Sequence, residues 1–320
     1  MFDTLEGNIT AGKDLSGTDA RFLASISGHG LFELFSAANR IRNHFRKNTV
    51  DLCSVVNAKS GSCSEDCSYC AQSSKNTAKT LTFSLLGKEI LLEKAREAYD
   101  GGAKRFCIVT SGRKTSSKDL HAIADTISAV RSMGLLPCAT LGLLSRAELL
   151  LLKDAGLERY HHNLETSERL FPAVCTTHSY QDKIKTITDV HSADISLCSG
   201  GIFGIGEDWE DRISLAFALK EISPDSVPIN FLIPIPGTRL QHQPFLSPLE
   251  ALKIISLFRC ILPDKEIRIC GGRMQTLGEF NSLVFFAGAD GLLTGNYLTT
   301  PGRNFEDDKR LIEQFGLTVA

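Results

Sequence analysis

Apolar residues recur along the chain in two rhythms. Up to about residue 48 the rhythm is helical: Phe32, Phe35 and Ala38 are followed by Ile41 and Phe45, a spacing that lines one face of a helix. From about residue 49, short β-branched runs alternate with longer helical ones. Val50 to Asn57 reads as a strand. Leu86 to Asp100 reads as a helix ended by Gly101 and Gly102. A strand at Arg105–Val109, a helix at Lys118–Ser132 closed by Gly134, and a strand at Leu136–Thr140 follow. Ser145 caps a helix to Ala155, and Arg159–Leu164 is the next strand. The second half keeps the alternation: helix Tyr180–Val190, strand Asp194–Cys198, a glycine-rich loop from Gly200 to Gly206, helix Asp208–Lys220 and strand Val227–Ile233. Helix Pro248–Leu262 has proline in its first turn. Strand Ile267–Cys270, helix Gln275–Ala287, strand Gly291–Leu293 and helix Phe305–Phe315 complete the series.

About eight strand–helix units result, which predicts an α/β fold of the (β/α)8 TIM-barrel type. No linker-like stretch divides them and no repeat of fixed period is visible. The expected organisation is an N-terminal helical extension over residues 1–48 and one barrel over 49–320.

Composition narrows the function classes. The 320 residues are 42% hydrophobic and 22% charged, ordinary for a soluble enzyme. A net charge of −2 lacks the basic footprint of a nucleic-acid partner. No apolar run approaches the length of a membrane span, and the polar start lacks a signal-peptide core. The expectation is a cytoplasmic protein with neither a nucleic-acid nor a membrane partner. Ten cysteines are many for a reducing compartment, where they point to metal binding or catalysis rather than disulfides.

Three of them, Cys63, Cys67 and Cys70, stand in C-x3-C-x2-C spacing on a polar, glycine-led segment from Gly61 to Ser73. Such a segment is a loop, and soft thiolates on a loop favour iron–sulfur clusters, zinc or copper(I). A closed zinc site takes four ligands, yet no fourth Cys or His lies within the next 30 residues. A 4Fe–4S cluster held by three cysteines keeps one iron open to a reactant. The spacing resembles that of the radical S-adenosylmethionine enzymes, a resemblance that implies S-adenosylmethionine on the open iron. The loop leaves the C-terminal end of the first strand, where barrel enzymes keep their active sites.

Cys107, Cys138 and Cys198 fall on the second, third and fifth predicted strands, and Arg268 on the seventh. Strand side chains alternate, so each can point into the barrel. Any one buried cysteine is explained as well by packing. Three cysteines and an arginine on separate strands are harder to explain as filler, because barrel interiors favour Val, Ile and Leu. An inward arginine is costly unless it meets an anion, and a thiolate-bound cluster would be one.

From Val50 to its end the chain resembles the biotin synthase family. The resemblance rests on the stretch from Asn57 to Ser73, on Arg105-Phe-Cys107, on Tyr160-His-His-Asn-Leu-Glu-Thr-Ser167, on Cys175-Thr-Thr-His178, on the segment from Cys198 to Glu207 and on Ser226-Val-Pro-Ile-Asn230. It implies a (β/α)8 homodimer that converts dethiobiotin to biotin. The implied reagents are S-adenosylmethionine, a second iron–sulfur cluster as sulfur donor, and a flavodoxin- or ferredoxin-type electron donor. By position, Cys63, Cys67 and Cys70 would hold the 4Fe–4S cluster. Cys107, Cys138, Cys198 and Arg268 match the ligands of the sulfur-donating auxiliary cluster, a 2Fe–2S centre in the familiar enzymes. Tyr69, Asn163, Glu165, Gly204, Glu207 and Asn230 match residues beside S-adenosylmethionine and substrate. The glycines of the 200–206 loop are weak support alone, since their spacing is not a dinucleotide fingerprint.

Several positions depart from the family pattern. His161 stands where the family has Asn, and Glu165 where it more often has Asp. Cys53 and Cys270 stand where serine is usual. These two thiols flank the auxiliary site and could ligate a larger cluster in which Arg268 need not take part; the alternative is Ser-to-Cys drift at a packed position. Cys175 and Cys260 read as structural. At most one of His161 and His162 is expected to face the mouth, and neither has ligand spacing to the cysteines. Two rival readings are a radical enzyme of the hydrogenase-maturation type, which would not need the interior set, and an iron–sulfur electron carrier, which would need four ligands per cluster.

Overall fold

In the computed structural model, which describes residues 2–300 and 302–320, the alternation closes on itself. Ten strands occur in the described residues: β1 (Thr49–Lys59), β2 (Arg105–Thr110), β3 (Leu136–Thr140), β4 (Arg159–His161), β5 (Ser196–Cys198), β6 (Gly201–Phe203), β7 (Ser226–Phe231), β8 (Glu266–Ile269), β9 (Gly291–Leu293) and β10 (Thr318–Val319). Every pairing between them is parallel, and β9 returns to β1, so β1, β2, β3, β4, β5, β7, β8 and β9 form a closed eight-stranded (β/α)8 barrel.

The intervening helices cover the barrel with apolar faces. The helix Lys88–Asp100 buries Leu91, Ala95 and Ala98, and Ser117–Ser132 buries Leu120, Ile123, Ala124, Ile127 and Val130, the stripe expected of an amphipathic helix. Their starts are chemically marked. Ser145 and Glu148, Ser179 and Asp182, and Asp208 and Asp211 form reciprocal capping boxes, each satisfying backbone donors at a helix start. The helix Pro248–Ile261 is buried almost all round because the N-terminal helices α1 (Phe2–Thr10), α2 (Gly17–Ser25) and α3 (Gly30–Arg46) cover that side of the barrel. Lys253 on this helix donates its ammonium to the carbonyls of Ala24 and Ile26, and Arg46 of α3 pairs with the buried Asp290 at 2.6 Å.

Two elements differ from the sequence expectation. The glycine-rich segment is not wholly a loop: Gly201–Phe203 forms β6, which pairs with β7 from Ile229 to Phe231. β5 meets β7 only at Cys198 and Ser226, so β5 and β6 make one barrel stave broken at Ser199–Gly200. A Cβ at Gly200 would collide with the Pro228 carbonyl, and one at Gly201 would lie 2.6 Å from the Glu165 carbonyl oxygen. The glycines there permit close backbone approach. The side-chain pattern hid this strand, because glycine carries no side chain to show a two-residue period. The expected helix Gln275–Ala287 is instead a short α-turn, Arg273–Leu277, followed by a 3-10 helix, Gly278–Val284. Gly278 (φ 50°) breaks the α-helical hydrogen bonding between them.

Replacing Gly200 with Ala is expected to cost about 1–3 kcal/mol of stability through overpacking against Pro228, read by urea denaturation. An unchanged midpoint would contradict the close approach.

Candidate functional site

Period-two alternation sorts the inward side chains of the barrel into layers. At the bottom are Asp51, Arg105, Arg159, Ser226, Glu266 and Arg268. Two residues beyond Asp51, Arg105 and Arg268 stand Cys53, Cys107 and Cys270, and β3 and β5 add Cys138 and Cys198. Strand registry places Cys53 beside Arg105, Cys107 beside Cys138, and Cys138 beside Arg159. The five cysteines are unpaired and buried. All five, with Arg105, Arg159 and Arg268, line one interior cavity of about 270 Å³. The structure therefore brings Cys107, Cys138, Cys198 and Arg268 together as the sequence led one to expect, and puts Cys53 and Cys270 in the same chamber.

The bottom layer is a buried charge network. Arg268 Nη2 donates to Asp51 Oδ1 at 2.6 Å and also to Glu266 Oε1. Arg105 Nε donates to Asp51 at 3.2 Å, and Arg159 Nη1 to Glu266 at 3.1 Å. Burial would push the Glu266 carboxyl up, but Arg268, Arg159 and Arg105 together hold it below the usual carboxylate range. Three guanidiniums face two carboxylates. Arg105 Nη1 and Arg268 Nη1 are buried without a hydrogen-bond partner. Orphaned cationic donors under a wall of thiols fit an anion in the chamber, since buried charge without a partner is strongly unfavourable. Thiolates around iron and sulfide are such an anion, so these residues fit the auxiliary iron–sulfur group. Burial pushes the thiols of Cys53, Cys107, Cys138 and Cys270 up, the last two to about 11 and about 12, because an apolar chamber disfavours the thiolate.

Above this chamber the barrel opens into a second cavity of about 410 Å³. Cys63, Cys67 and Cys70 line it, together with Tyr69, Asn163, Glu165 and Asn230. The two cavities share Val109, Thr140, His161, Asn230 and Leu298 as lining, so one leads into the other. The cysteine loop is held by its own backbone: Cys63 N–H donates to the Gln72 carbonyl at 3.1 Å and Ser74 N–H to the Cys63 carbonyl at 2.8 Å. The Asn76 amide ties the carbonyls of Cys67 and Cys70. The backbone is thus fixed while three free thiols line one cavity wall, an arrangement that fits a cluster with one open iron.

Asn163 and Asn230 each have a backbone duty. Asn163 Oδ1 accepts from Gly200 N–H at 3.0 Å, and Asn230 clamps the Gly201 carbonyl and Gly271 N–H. Glu165 adopts φ 73°, a left-handed conformation that is costly for a non-glycine residue. Its backbone N–H donates to the Gly200 carbonyl and its own carbonyl accepts from Ile202 N–H, which locks that conformation beside β6. Gly204 and Glu207 are placed elsewhere and do not line the cavity. The buried Glu207 carboxylate accepts from Gly204 and Ile205 N–H and pairs with Arg212 at 2.9 Å, so it caps a turn.

Sequence reasoning missed two features. His161 and His162 both line the upper cavity, and His161 Nδ1 lies 3.2 Å from Cys198 Sγ. The expectation that at most one of them faces the mouth fails, and because β4 and β5 are adjacent His161 stands level with Cys198, a nearness that no spacing along the chain shows. Burial pushes the His161 imidazole down to about 4, so it stays neutral at pH 7. Cys175, expected to be structural, sits behind the loop. Its thiol is pushed down to about 4 by the hydrogen bond from Cys67 and then by His178 and Thr177. His178 Nδ1 is 3.3 Å from that sulfur, and Glu65 accepts from the same ring nitrogen.

Comparison with known proteins places this geometry. The profile of the Radical SAM superfamily matches residues 59–219, and that of the Biotin and Thiamin Synthesis associated domain matches residues 228–318. The chain is 53% identical to the biotin synthase of Thermodesulfovibrio yellowstonii over 90% of its length and 91% of that protein. It is 44% identical to the biotin synthase of Pelotomaculum thermopropionicum over the whole of both chains. Among solved structures, methylornithine synthase superposes with a TM-score of 0.87 at 23% identity, covering 99% of this chain and 97% of that one. The hydrogenase maturase HydG of Carboxydothermus hydrogenoformans superposes at 0.84 and 16% identity, over 100% of this chain and 79% of that one. These two share the fold.

Glu266→Gln removes one of two counter-charges from three arginines. It is expected to cost about 3–5 kcal/mol in urea denaturation, and adding Arg159→Met should recover part of that loss. Equal loss in single and double variants would contradict the network.

Proposed function

The chain belongs to the biotin synthase family, and from that premise we propose that it inserts sulfur into dethiobiotin to close the ring of biotin. The observation that carries this reading is the pairing of two thiol sets in joined cavities, three on the mouth loop and five inside the barrel. A hydrogenase-maturation reading needs only the first set.

Cys63, Cys67 and Cys70 would hold a 4Fe–4S cluster with S-adenosylmethionine beside it, and Cys107, Cys138 and Cys198 an auxiliary iron–sulfur cluster above Arg268. When bound, these groups supply an electron, a 5′-deoxyadenosyl radical able to abstract hydrogen from an unactivated carbon, and the sulfur that is inserted. The chain's own residues set where this happens. Tyr69, Asn163, Glu165 and Asn230 line the mouth between the two thiol sets and offer polar contacts to S-adenosylmethionine and to the ureido group of dethiobiotin. Holding the reacting carbon between radical source and sulfur source makes each transfer effectively unimolecular. The segment from Leu298 to Thr300 borders both cavities, anchored by Asn57 Nδ2 on the Leu298 carbonyl at 3.1 Å. It helps keep out water and other quenching groups. Arg105, Arg159 and Arg268 stabilise negative charge at the chamber floor.

Cys53 and Cys270 line the same cavity as the three auxiliary cysteines, which supports an auxiliary cluster larger than 2Fe–2S. The family resemblance extends the proposal to a homodimer, to a flavodoxin- or ferredoxin-type electron donor and to the cytoplasm. No described helix is long and apolar enough to cross a membrane. Residues 1–48 serve in this reading as an extension that braces the barrel of residues 49–320 without entering the chemistry.

Cys138→Ala should still cleave S-adenosylmethionine under dithionite yet yield no biotin from dethiobiotin; normal biotin yield from that variant would remove Cys138 from the sulfur donor. Iron and sulfide counts on anaerobically reconstituted protein measure the auxiliary cluster. More than two auxiliary irons per chain, falling in Cys53→Ser and Cys270→Ser, are expected, and a count of two would confine the cluster to the smaller form.

A further inference from the structure

Strand β4 contributes to both layers of the barrel interior. Arg159 gives Nη1 to Glu266 at 3.1 Å in the floor. His161 is two residues further on, on the same face of the strand, and lines both the thiol chamber and the mouth. Pairing with β5 sets it level with Cys198, and its Nδ1 forms a 3.2 Å hydrogen bond with Cys198 Sγ. While Cys198 is a thiol, either atom can be the donor. A cysteine bound to iron has given up its proton and can only accept. At that distance the ring must then turn an N–H toward the sulfur. This holds for a neutral or a charged imidazole; in the neutral ring it fixes the tautomer, with the proton on Nδ1.

We infer that His161 is a positioning residue of the thiol chamber: its Nδ1–H donates a hydrogen bond to the Cys198 thiolate and stabilises the bound iron–sulfur group when that group takes up an electron. The inference rests on the reading of the chamber as the sulfur-donor site. His161 acts through Cys198 and takes no coordination position, so the ligand set is unchanged. Hydrogen bonds to the sulfurs are among the levers that set the potential of such a group. A bond to an anionic acceptor is stronger than a neutral one, and stronger again where water is excluded. Sulfur insertion calls for that lever. A carbon radical brings one electron to the new carbon–sulfur bond and sulfide brings two. The bond keeps two, and the third reduces one ferric iron to ferrous. The floor arginines favour the added negative charge from below, and His161 favours it at a ligand sulfur itself.

The test is a redox titration of the auxiliary cluster, followed by electron paramagnetic resonance, in full-length reconstituted enzyme without S-adenosylmethionine. His161→Leu should shift the midpoint to lower potential at unchanged auxiliary iron content. His161→Asn, whose amide nitrogen stands as many bonds from the backbone as Nδ1 does, should restore most of that shift. A His161→Leu midpoint equal to that of the unaltered enzyme would overturn the inference, and so would an Asn variant that behaves like the Leu variant. A second measurement decides the matter if His161→Leu takes up no auxiliary iron. Electron spin-echo modulation of the unaltered enzyme labelled with ¹⁵N-histidine should show a weak ¹⁵N coupling, carried across N–H···S, that His161→Asn lacks. Absence of that coupling, or a coupling as strong as that of a nitrogen bound to iron, would overturn the inference. Enzyme that holds only the loop cluster's iron would instead sink the sulfur-donor reading of the chamber, and this inference with it.

Discussion

Three guanidiniums over two carboxylates at the closed end of the barrel is the constraint on which the interior depends. Asp51 and Glu266 bridge Arg105, Arg159 and Arg268, leaving two cationic N–H groups with no partner. A barrel core stabilised only by packing would place branched apolar residues at these points. The excess positive charge is instead tolerable when an anion sits in the layer above. That layer consists of thiols, which become anionic on binding metal. Floor and chamber thus need one another: the arginines favour the deprotonated, metal-bound state of the cysteines, and the bound group satisfies the arginines.

The same alternation that builds these layers sets the distance between the two halves of the chemistry. Each step of two residues along β2, β4 and β8 passes from arginine to cysteine or histidine and then towards the mouth. The cysteine loop follows β1 directly, so its thiols cannot stray from the rim. The broken stave at Gly200 lets Asn163, Glu165 and Asn230 share hydrogen bonds with one short piece of backbone. Their positions are coupled through that backbone, which gives the mouth a rigid polar wall without a dedicated helix.

Much of this was legible in the sequence because it rests on period and spacing. The eight units, the loop cysteines and the inward direction of Cys107, Cys138, Cys198 and Arg268 all follow from local pattern. What was hidden depends on which strands become neighbours. His161 gave no ligand spacing to any cysteine, since Cys198 is brought beside it only when β4 and β5 pair. β6 was hidden because its glycines carry no pattern. Gly204 and Glu207 entered only through the resemblance, and in the structure the Glu207 carboxylate caps its own turn. The structure also gives the Cys175-Thr-Thr-His178 stretch a place against the back of Cys67, which no spacing rule connects to it.

The central claim is that the thiol chamber exists to deliver sulfur to a carbon activated at the mouth. Its most direct test is anaerobic turnover with dethiobiotin after reconstitution with isotopically labelled sulfide, following biotin and 5′-deoxyadenosine together. The account expects biotin that carries the label, formed in step with 5′-deoxyadenosine. Unlabelled biotin, or 5′-deoxyadenosine released without any biotin, would contradict it.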